Sequence, residues 1–428
     1  MNINWIKDLE NHINNSEVKE FLQGKNLQEI FPRGYRDDFK VIDAYEDFIK
    51  ISHLVKLQAL QVKLTDDSQA KQFYIKLYSL DKAVTLSQSM SILESMGLEV
   101  LLEKPYQLKL NGNSVWLHHF TLQRCHELCA YDHGKMPRYF RELFISIWNK
   151  ETENDAFNQL LFTTCLKKNN ISILRAYTAY LNQVNFPYSQ SLIIETLNAH
   201  PLITLKFIKL FLYKFDPENN LREKFDQTHQ EYLELLNEIE SLDQDLIFKR
   251  FLNLIDATVR TNYFHPAQQN NAYISFKFES GKITKLPHPH PVYEIFVYSS
   301  RFEGIHLRGG KVARGGLRWS DRKEDYRTEV LGLMKAQMVK NAVIVPAGSK
   351  GGFITKQTAG LDRDETFEEV RTCYQLYIHA LLELTDNLIK GKVQHPPLTH
   401  LHDQEDPYLV VAADKGTATF SDTAHEVS

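Results

Sequence analysis

At 428 residues the chain is too long for one ordinary hydrophobic core, and roughly two to four domains are expected. Apolar residues make up 43% and charged residues 24%, the balance expected of a soluble globular protein. A formal net charge of -4 gives no reason to expect a polyanionic partner.

Residues 1–55 read as a polar helical lead-in, interrupted where Phe31, Pro32, Arg33, Gly34 and Tyr35 break the pattern. Met1 to Asn15 carries no basic segment followed by an apolar run, so no signal peptide is expected there. Across 56–125 the period changes. Phe73, Ile75 and Leu77 alternate with Tyr74, Lys76 and Tyr78, which predicts a strand. Ser87 to Met96 reads as a helix with Met90, Leu93 and Met96 on one side, and Gly97 stands where a C-terminal cap belongs. Leu98 to Leu102 reads as a buried strand. Asn111 followed by Gly112 signals a hairpin, with Val115 to Phe120 as the partner strand. The sum is a small α+β module. Such modules sense ligands or join subunits, and the pattern leaves both open.

Residues 126–265 form the expected helical domain. Leu143, Trp148, Phe157, Leu160 and Leu161 recur at helical spacing, as do Ile173, Leu174, Tyr177 and Tyr180, and core packing is the reading for the aromatics. Pro187 and Pro201 punctuate these helices. Leu202 to Phe215 is the most apolar run, but Lys206, Lys209 and Lys214 interrupt it well short of the ~18 residues a membrane span needs. Tyr232 to Tyr263 reads as further amphipathic helix. The cysteines Cys125, Cys129, Cys165 and Cys373 are sparse and suit a reducing cytoplasm. Cys125, His126 and Cys129 have no second pair at zinc spacing, and His400, His402 and Asp403 fall in a polar loop, so no metal site is expected.

From 266 onward strand character returns, at Ala272 to Phe278 and at Tyr293 to Tyr298. His288 and His290, set among Pro287, Pro289 and Pro291, read as an extended linker. Residues 308–356 then concentrate chemistry. Gly309-Gly310 and Gly315-Gly316 precede a helix predicted over Glu329 to Lys340, striped by Val330, Leu333, Met334 and Met338, and Gly351-Gly352 follows. Among them stand Arg308, Lys311, Arg314, Arg318, Arg322, Lys340 and Lys350, a density of cations between glycines that suggests one anion site. Ala342 to Val345 reads as a short buried strand ended by Pro346 and Gly348, which leaves Lys350 in a glycine-rich loop where a lysine can act as acid or base. Neither the spacing of a phosphate-binding P-loop nor the dinucleotide fingerprint G-x-G-x-x-G occurs. The interleaved acids Asp321, Glu324, Asp325 and Glu329 argue against nucleic acid.

The run from Lys340 to Gly352, KNAVIVPAGSKGG, is similar to the substrate-site signature of amino-acid dehydrogenases of the glutamate dehydrogenase type. The whole stretch from Phe296 to Lys356 resembles the large, multidomain bacterial NAD-specific glutamate dehydrogenases. Similar to the same subfamily are Asp406 to Thr417, Leu174 to Tyr177 and Arg260 to Phe264. The module at 56–125 resembles the ACT-like regions of those enzymes, which implies amino-acid sensing or, equally, packing and oligomerisation.

The resemblance implies a multidomain α+β and α/β chain: the lead-in, the ACT-like module, the helical domain, and an incomplete substrate-binding domain over 266–428. The Rossmann domain that binds NAD is expected downstream of Ser428, with no cofactor-binding residue in this chain. Arg314-Gly315-Gly316 match the family's Lys-Gly-Gly, which meets the substrate's side-chain carboxylate, with Arg in place of Lys. Lys340 matches the lysine on the α-carboxylate, Lys350 the catalytic lysine and Asp414 the catalytic aspartate. The interval from Lys340 to Lys350 is shorter than in the common family, which leaves the geometry open. The implied reaction is oxidative deamination of L-glutamate to 2-oxoglutarate and ammonia. Hydride passes to NAD, the lysine activates water against the resulting iminium, and the aspartate shuttles protons to nitrogen. A cytoplasmic homo-oligomer is implied, with a small-molecule substrate and no nucleic-acid or membrane partner. The isolated 428-residue chain is expected to show little dehydrogenase activity. The alternative is a non-catalytic regulatory or assembly subunit that retains an acidic amino-acid motif.

Overall fold

The computed structural model describes residues 2–14, 27–67, 72–110, 113–124, 134–265, 273–340, 347–410, 412–420, 422–423 and 427. The chain divides into two compact units, Met1–Lys150 with Asn154–Cys165, and Glu151–Glu153 with Leu166–Ser428.

The first unit is built from helices α1 (Asn2–Asn14) and α2 (Val41–Leu57), strands β1 (Gln61–Asp67) and β2 (Gln72–Leu80), helix α3 (Leu86–Ser95), strands β3 (Leu98–Leu110) and β4 (Asn113–Arg124), and helix α4 (Met136–Trp148). Its sheet is antiparallel throughout, in the order β1-β2-β4-β3. Phe73, Ile75 and Leu77 are buried, as their alternation predicts. Gly97 ends α3 with φ of 75°, a conformation glycine adopts freely. Leu98 to Leu102 departs from its reading as a buried strand. The register of β3 against β4 shifts between Val100 and Leu102, and Leu101 and Leu102 remain 46% and 50% exposed. The irregularity turns an apolar run off the core. Asn111 and Gly112 lie outside the described residues, but Leu110 pairs with Asn113 on either side of them.

Ile6, Leu9, Phe31, Tyr35, Phe48 and Ile51 of the N-terminal segment share one core with Tyr78, Leu108 and Leu117 of the sheet. Asp47 is fully buried in that core. It is tolerated because Lys76 and the hydroxyls of Tyr35 and Tyr78 donate to it at 2.7, 2.5 and 2.7 Å.

The second unit opens with helices α5 (Lys168–Gln183), α6 (Gln190–Ala199), α7 (Pro201–Phe215), α8 (Arg222–Leu236) and α9 (Leu242–Ala257). Helix α9 stops earlier than the periodicity suggests. Residues Thr258–Thr261 form strand β5, because Thr258, Val259 and Thr261 are β-branched and find a partner in β6 (Ile274–Glu279). Strands β7 (Tyr293–Tyr298), β8 (Phe302–Arg308) and β9 (Leu317–Trp319), helix α10 (Tyr326–Lys340), strand β10 (Ser349–Thr355) and helix α11 (Arg363–Leu382) follow. The sheet order is β5-β6-β7-β8-β10-β9, antiparallel except for the β9–β10 pair.

Helices cover both faces of this sheet. On one, Tyr177 and Tyr180 of α5 pack on Phe276, Phe278 and Phe296, as the core reading of those aromatics expects. On the other, Tyr374 and Tyr377 of α11 pack on Phe353. Val330 and Met334 of α10 are buried, whereas Met338 of the same expected stripe is 37% exposed. Ala342 to Val345 lies outside the described residues. None of the described helices is long and apolar enough to cross a membrane. Cys373 is a buried free thiol and Cys165 is disulfide-bonded, which the reading of the cysteines did not anticipate. Cys125, His126 and Cys129 lie outside the described residues.

Candidate functional site

Lys350 sits in a strand, which corrects its expected place in a loop. Residues Ser349–Thr355 form β10 with almost every side chain buried. The misreading comes from the glycines. Here they serve close packing and not turning: a Cβ on Gly351 would lie 2.3 Å from Leu317 Cδ2, and one on Gly352 would lie 2.5 Å from Val330 Cγ2.

Strand geometry then aims the side chains. Gly352 is in register with Arg318 on β9, so Lys350 and Arg318 project from the same face of the sheet. Upstream of β9 the chain stays bonded to β10: the Ser349 N–H donates to Arg314 O at 3.1 Å, and the Gly351 N–H to Gly316 O at 3.1 Å. On the far side of β9 runs the 412–417 segment. The Leu317 N–H donates to Ala412 O at 2.8 Å, and the Thr417 hydroxyl donates to Leu317 O at 2.8 Å. Thr417 Oγ1 also accepts from the Asp414 N–H at 2.9 Å, and Gly416, with φ of 83°, makes the turn between them.

This arrangement brings Lys350 and Asp414 together. The lysine Nζ lies against Asp414 Oδ2 as an ion pair, with side chains 11% and 25% exposed. The contact is oblique, so Oδ2 has no well-directed hydrogen bond. Arg318 approaches the same oxygen with its Nε at 4.0 Å. Arg318 is itself held by Glu329, whose Oε1 accepts from Nη1 at 2.7 Å and whose Oε2 accepts from the Ser320 hydroxyl at 2.6 Å. Partial burial alone would raise the Asp414 carboxyl. The close approach of Lys350, the hydrogen bond from the Lys415 N–H and the charges of Lys350 and Arg318 outweigh it and hold the carboxyl below the usual range.

The remaining expected site residues are placed as follows. Gly315 and Gly316 lie between β10 and the 412–414 segment, where a Cβ would fall 1.6 Å from Ser349 O and 3.2 Å from Ala412 O, respectively. The backbone of Arg314 bridges to Gly348, and its side chain is exposed. Lys340 is the last residue of α10. Because the atom crowding Gly315 is backbone, Gly315→Ala is expected to cost on the order of 3 kcal/mol, read by chemical denaturation of the purified protein.

Residues 231–428 match the family model described as bacterial NAD-glutamate dehydrogenase, catalytic domain. Residues 152–217 match glutamate dehydrogenase, helical motif 3, and residues 58–132 match glutamate dehydrogenase, ACT3 domain. Over 99% of its length the chain is 43% identical to the NAD-specific glutamate dehydrogenase of Halomonas elongata. It is 45% identical over 93% of its length to that of Pseudomonas aeruginosa, and 40% over 93% to that of Mycobacterium tuberculosis. The chain belongs to the bacterial NAD-glutamate dehydrogenase family. It spans about a quarter of the length of these curated relatives, covering 27%, 25% and 26% of them.

Within this glutamate dehydrogenase family chain, the cations of 308–350 whose side chains are described do not all gather at one place, as the sequence suggested. Arg308 turns to Asp406, Lys311 bonds Gln404, and Arg322 pairs with Asp325. Lys350 and Arg318 meet at Asp414. The reason is the strand period: Arg308 is in register with Ser349, so it takes the face opposite to Lys350.

On that opposite face lies a buried charge network that sequence reasoning missed. Arg260 binds Asp386 at 2.8 and 3.1 Å and Asp403 at 2.6 Å. Lys277 meets Asp403 and, at 2.7 Å, Asp406, which also takes Arg308 at 2.9 Å. Burial by itself would raise Asp406. The hydrogen bond and charge of Arg308, and then Lys277, prevail and bring its carboxyl down to about 2. The network ties the segment that leads to Asp414 onto β5, β6 and β8. Glu329 and Ser320 were missed too, since nothing local marks Glu329 as the partner of an arginine on a strand.

Proposed function

We propose that this chain supplies the substrate-binding and proton-transfer groups for NAD-dependent oxidative deamination of L-glutamate to 2-oxoglutarate and ammonia. The observation that carries the reading is the Lys350–Asp414 ion pair beside Gly315 and Gly316, in a chain whose relatives are named NAD-specific glutamate dehydrogenases. In this reading Arg314, with Gly315 and Gly316, receives the side-chain carboxylate of glutamate, and Lys340 receives the α-carboxylate. Lys350 deprotonates the attacking water, and Asp414 carries the proton to and from the substrate nitrogen. The segment 266–428 acts as the substrate domain. The module at 56–125 senses an amino acid or joins subunits of a homo-oligomer, and the location is cytoplasmic.

The described residues do not fit a dinucleotide site. Their two larger sheets are antiparallel apart from β9–β10, and the chain has no G-x-G-x-x-G turn between a strand and a helix. No residue of this chain is assigned to NAD.

The intact protein should reduce NAD when given L-glutamate and release ammonia. Arg314→Ala should raise KM for glutamate by on the order of 10- to 100-fold while kcat changes less, because it removes a carboxylate contact made before the chemistry. Absence of glutamate-dependent NADH formation by the intact protein would overturn the reading.

A further inference from the structure

Arg318 has no substrate role in the reading above, yet its geometry is specific. Two buried atoms without a hydrogen bond lie 4.0 Å apart: Arg318 Nε, a donor, and Asp414 Oδ2, an acceptor whose close contact is the ion pair with Lys350. A movement of about 1 Å would bring them to ordinary hydrogen-bond distance. Arg318 does not rotate freely toward Asp414, because Glu329 grips its Nη1 and Ser320 in turn grips Glu329. With Nη1 held by Glu329, Nε lies 4.0 Å from the aspartate oxygen without an acceptor of its own.

We infer that Arg318 is a positioning residue that takes over Asp414 Oδ2 when Lys350 turns from the aspartate to the reacting centre. The inference rests on the assignment of Lys350 and Asp414 above. A lysine that works as base must leave its ion pair or give up its charge during turnover. Either event would strip Asp414 of its closest cation at the moment it must hold a defined proton state. Arginine remains charged at any working pH, so Arg318 is suited to the standby place. Among the described residues, the charged and bonding groups around Asp414 are Lys350 on β10, Arg318 on β9, the Lys415 N–H in its own turn, and Glu329 of α10 behind Arg318. Glu329 therefore competes with Asp414 for the same guanidinium. This competition makes the inference testable in both directions.

The test is the pH dependence of kcat/KM for glutamate in the intact enzyme, for Arg318→Gln, Arg318→Lys and Glu329→Gln, with melting temperature as the control for folding. Arg318→Gln should move the acid limb up by about one pH unit, since a cation within ~4–6 Å is lost. Its kcat should fall by on the order of 100-fold, with little change in KM. Arg318→Lys should restore part of the acid limb. Glu329→Gln should move the limb down, because the guanidinium is then released to Asp414. A purely structural Arg318 would not produce opposite shifts in the two variants. An Arg318→Gln enzyme that melts with the parent and keeps its acid limb overturns the inference. If Arg318→Gln does not fold, an unmoved acid limb in Glu329→Gln overturns it instead. Lys350→Ala run alongside separates the failures: full turnover in that variant overturns the functional reading itself, whereas its inactivity with an unmoved Arg318→Gln profile overturns only the role of Arg318.

Discussion

Lys350→Ala in the intact enzyme is expected to lower kcat for glutamate-dependent NAD reduction by on the order of 10³-fold, with the fold retained. The magnitude follows from removing the group proposed above as the general base, whose position is fixed on a buried strand. Retention of the fold follows from what remains. Asp414 keeps Arg318 near its Oδ2, its side chain is 25% exposed and can be hydrated, and the Thr417 hydroxyl still bonds its backbone. The strand itself is held by main-chain pairing to β8 and β9, which an alanine does not disturb. Stopped-flow or steady-state NADH absorbance, with melting temperature beside it, reads both quantities. Unchanged turnover would favour a regulatory or assembly subunit, for which Lys350 is dispensable.

Much of the fold was legible wherever one segment carries its own period. Tyr293 to Tyr298 is a strand over the residues that the pattern marks, and Gly97 takes the left-handed conformation that its place after a helix requires. The misses share one cause, which is information held by a distant partner. Thr258 to Thr261 leaves the helix because β6 offers hydrogen bonds, and nothing in those four residues announces β6. Gly351 and Gly352 look like a loop until Leu317, Tyr377 and Val330 are seen to fill the space where their side chains would be. The candidate site shows the same division. The cations were visible, but not which strand face each would take. Lys350 and Asp414 were paired through resemblance, and the physical agent of the pairing, β9 lying between β10 and the 412–414 segment, has no local signature.

Asp406→Ala is expected to destabilise the second unit by about 3–5 kcal/mol at neutral pH, because Lys277 and Arg308 would be left buried with their shared carboxylate removed. Arg260 and its partners Asp386 and Asp403 would remain, but Asp406 is the residue to which Arg308 is joined. The pH dependence carries the sign. Asp406 has a folded-state value of about 2, below the unfolded value of ~3.9, so its contribution is fully present above the unfolded value and is lost as pH falls from there through about 2. That shift corresponds to on the order of 2 kcal/mol, and the uncompensated cations account for the rest. Denaturant titrations of the parent and Asp406→Ala should therefore differ most at pH 5 to 8 and converge on acidification. Asp406→Asn, which keeps the shape without the charge, should fall between them. Equal stability of parent and Asp406→Ala at neutral pH would show that the network does not hold the segment. A variant that stays folded yet loses turnover would show that the carboxylate of Asp406, and not only the main-chain bond from the Asp386 N–H to Asp406 O at 3.0 Å that alanine keeps, fixes where the chain enters the turn that presents Asp414 to Lys350.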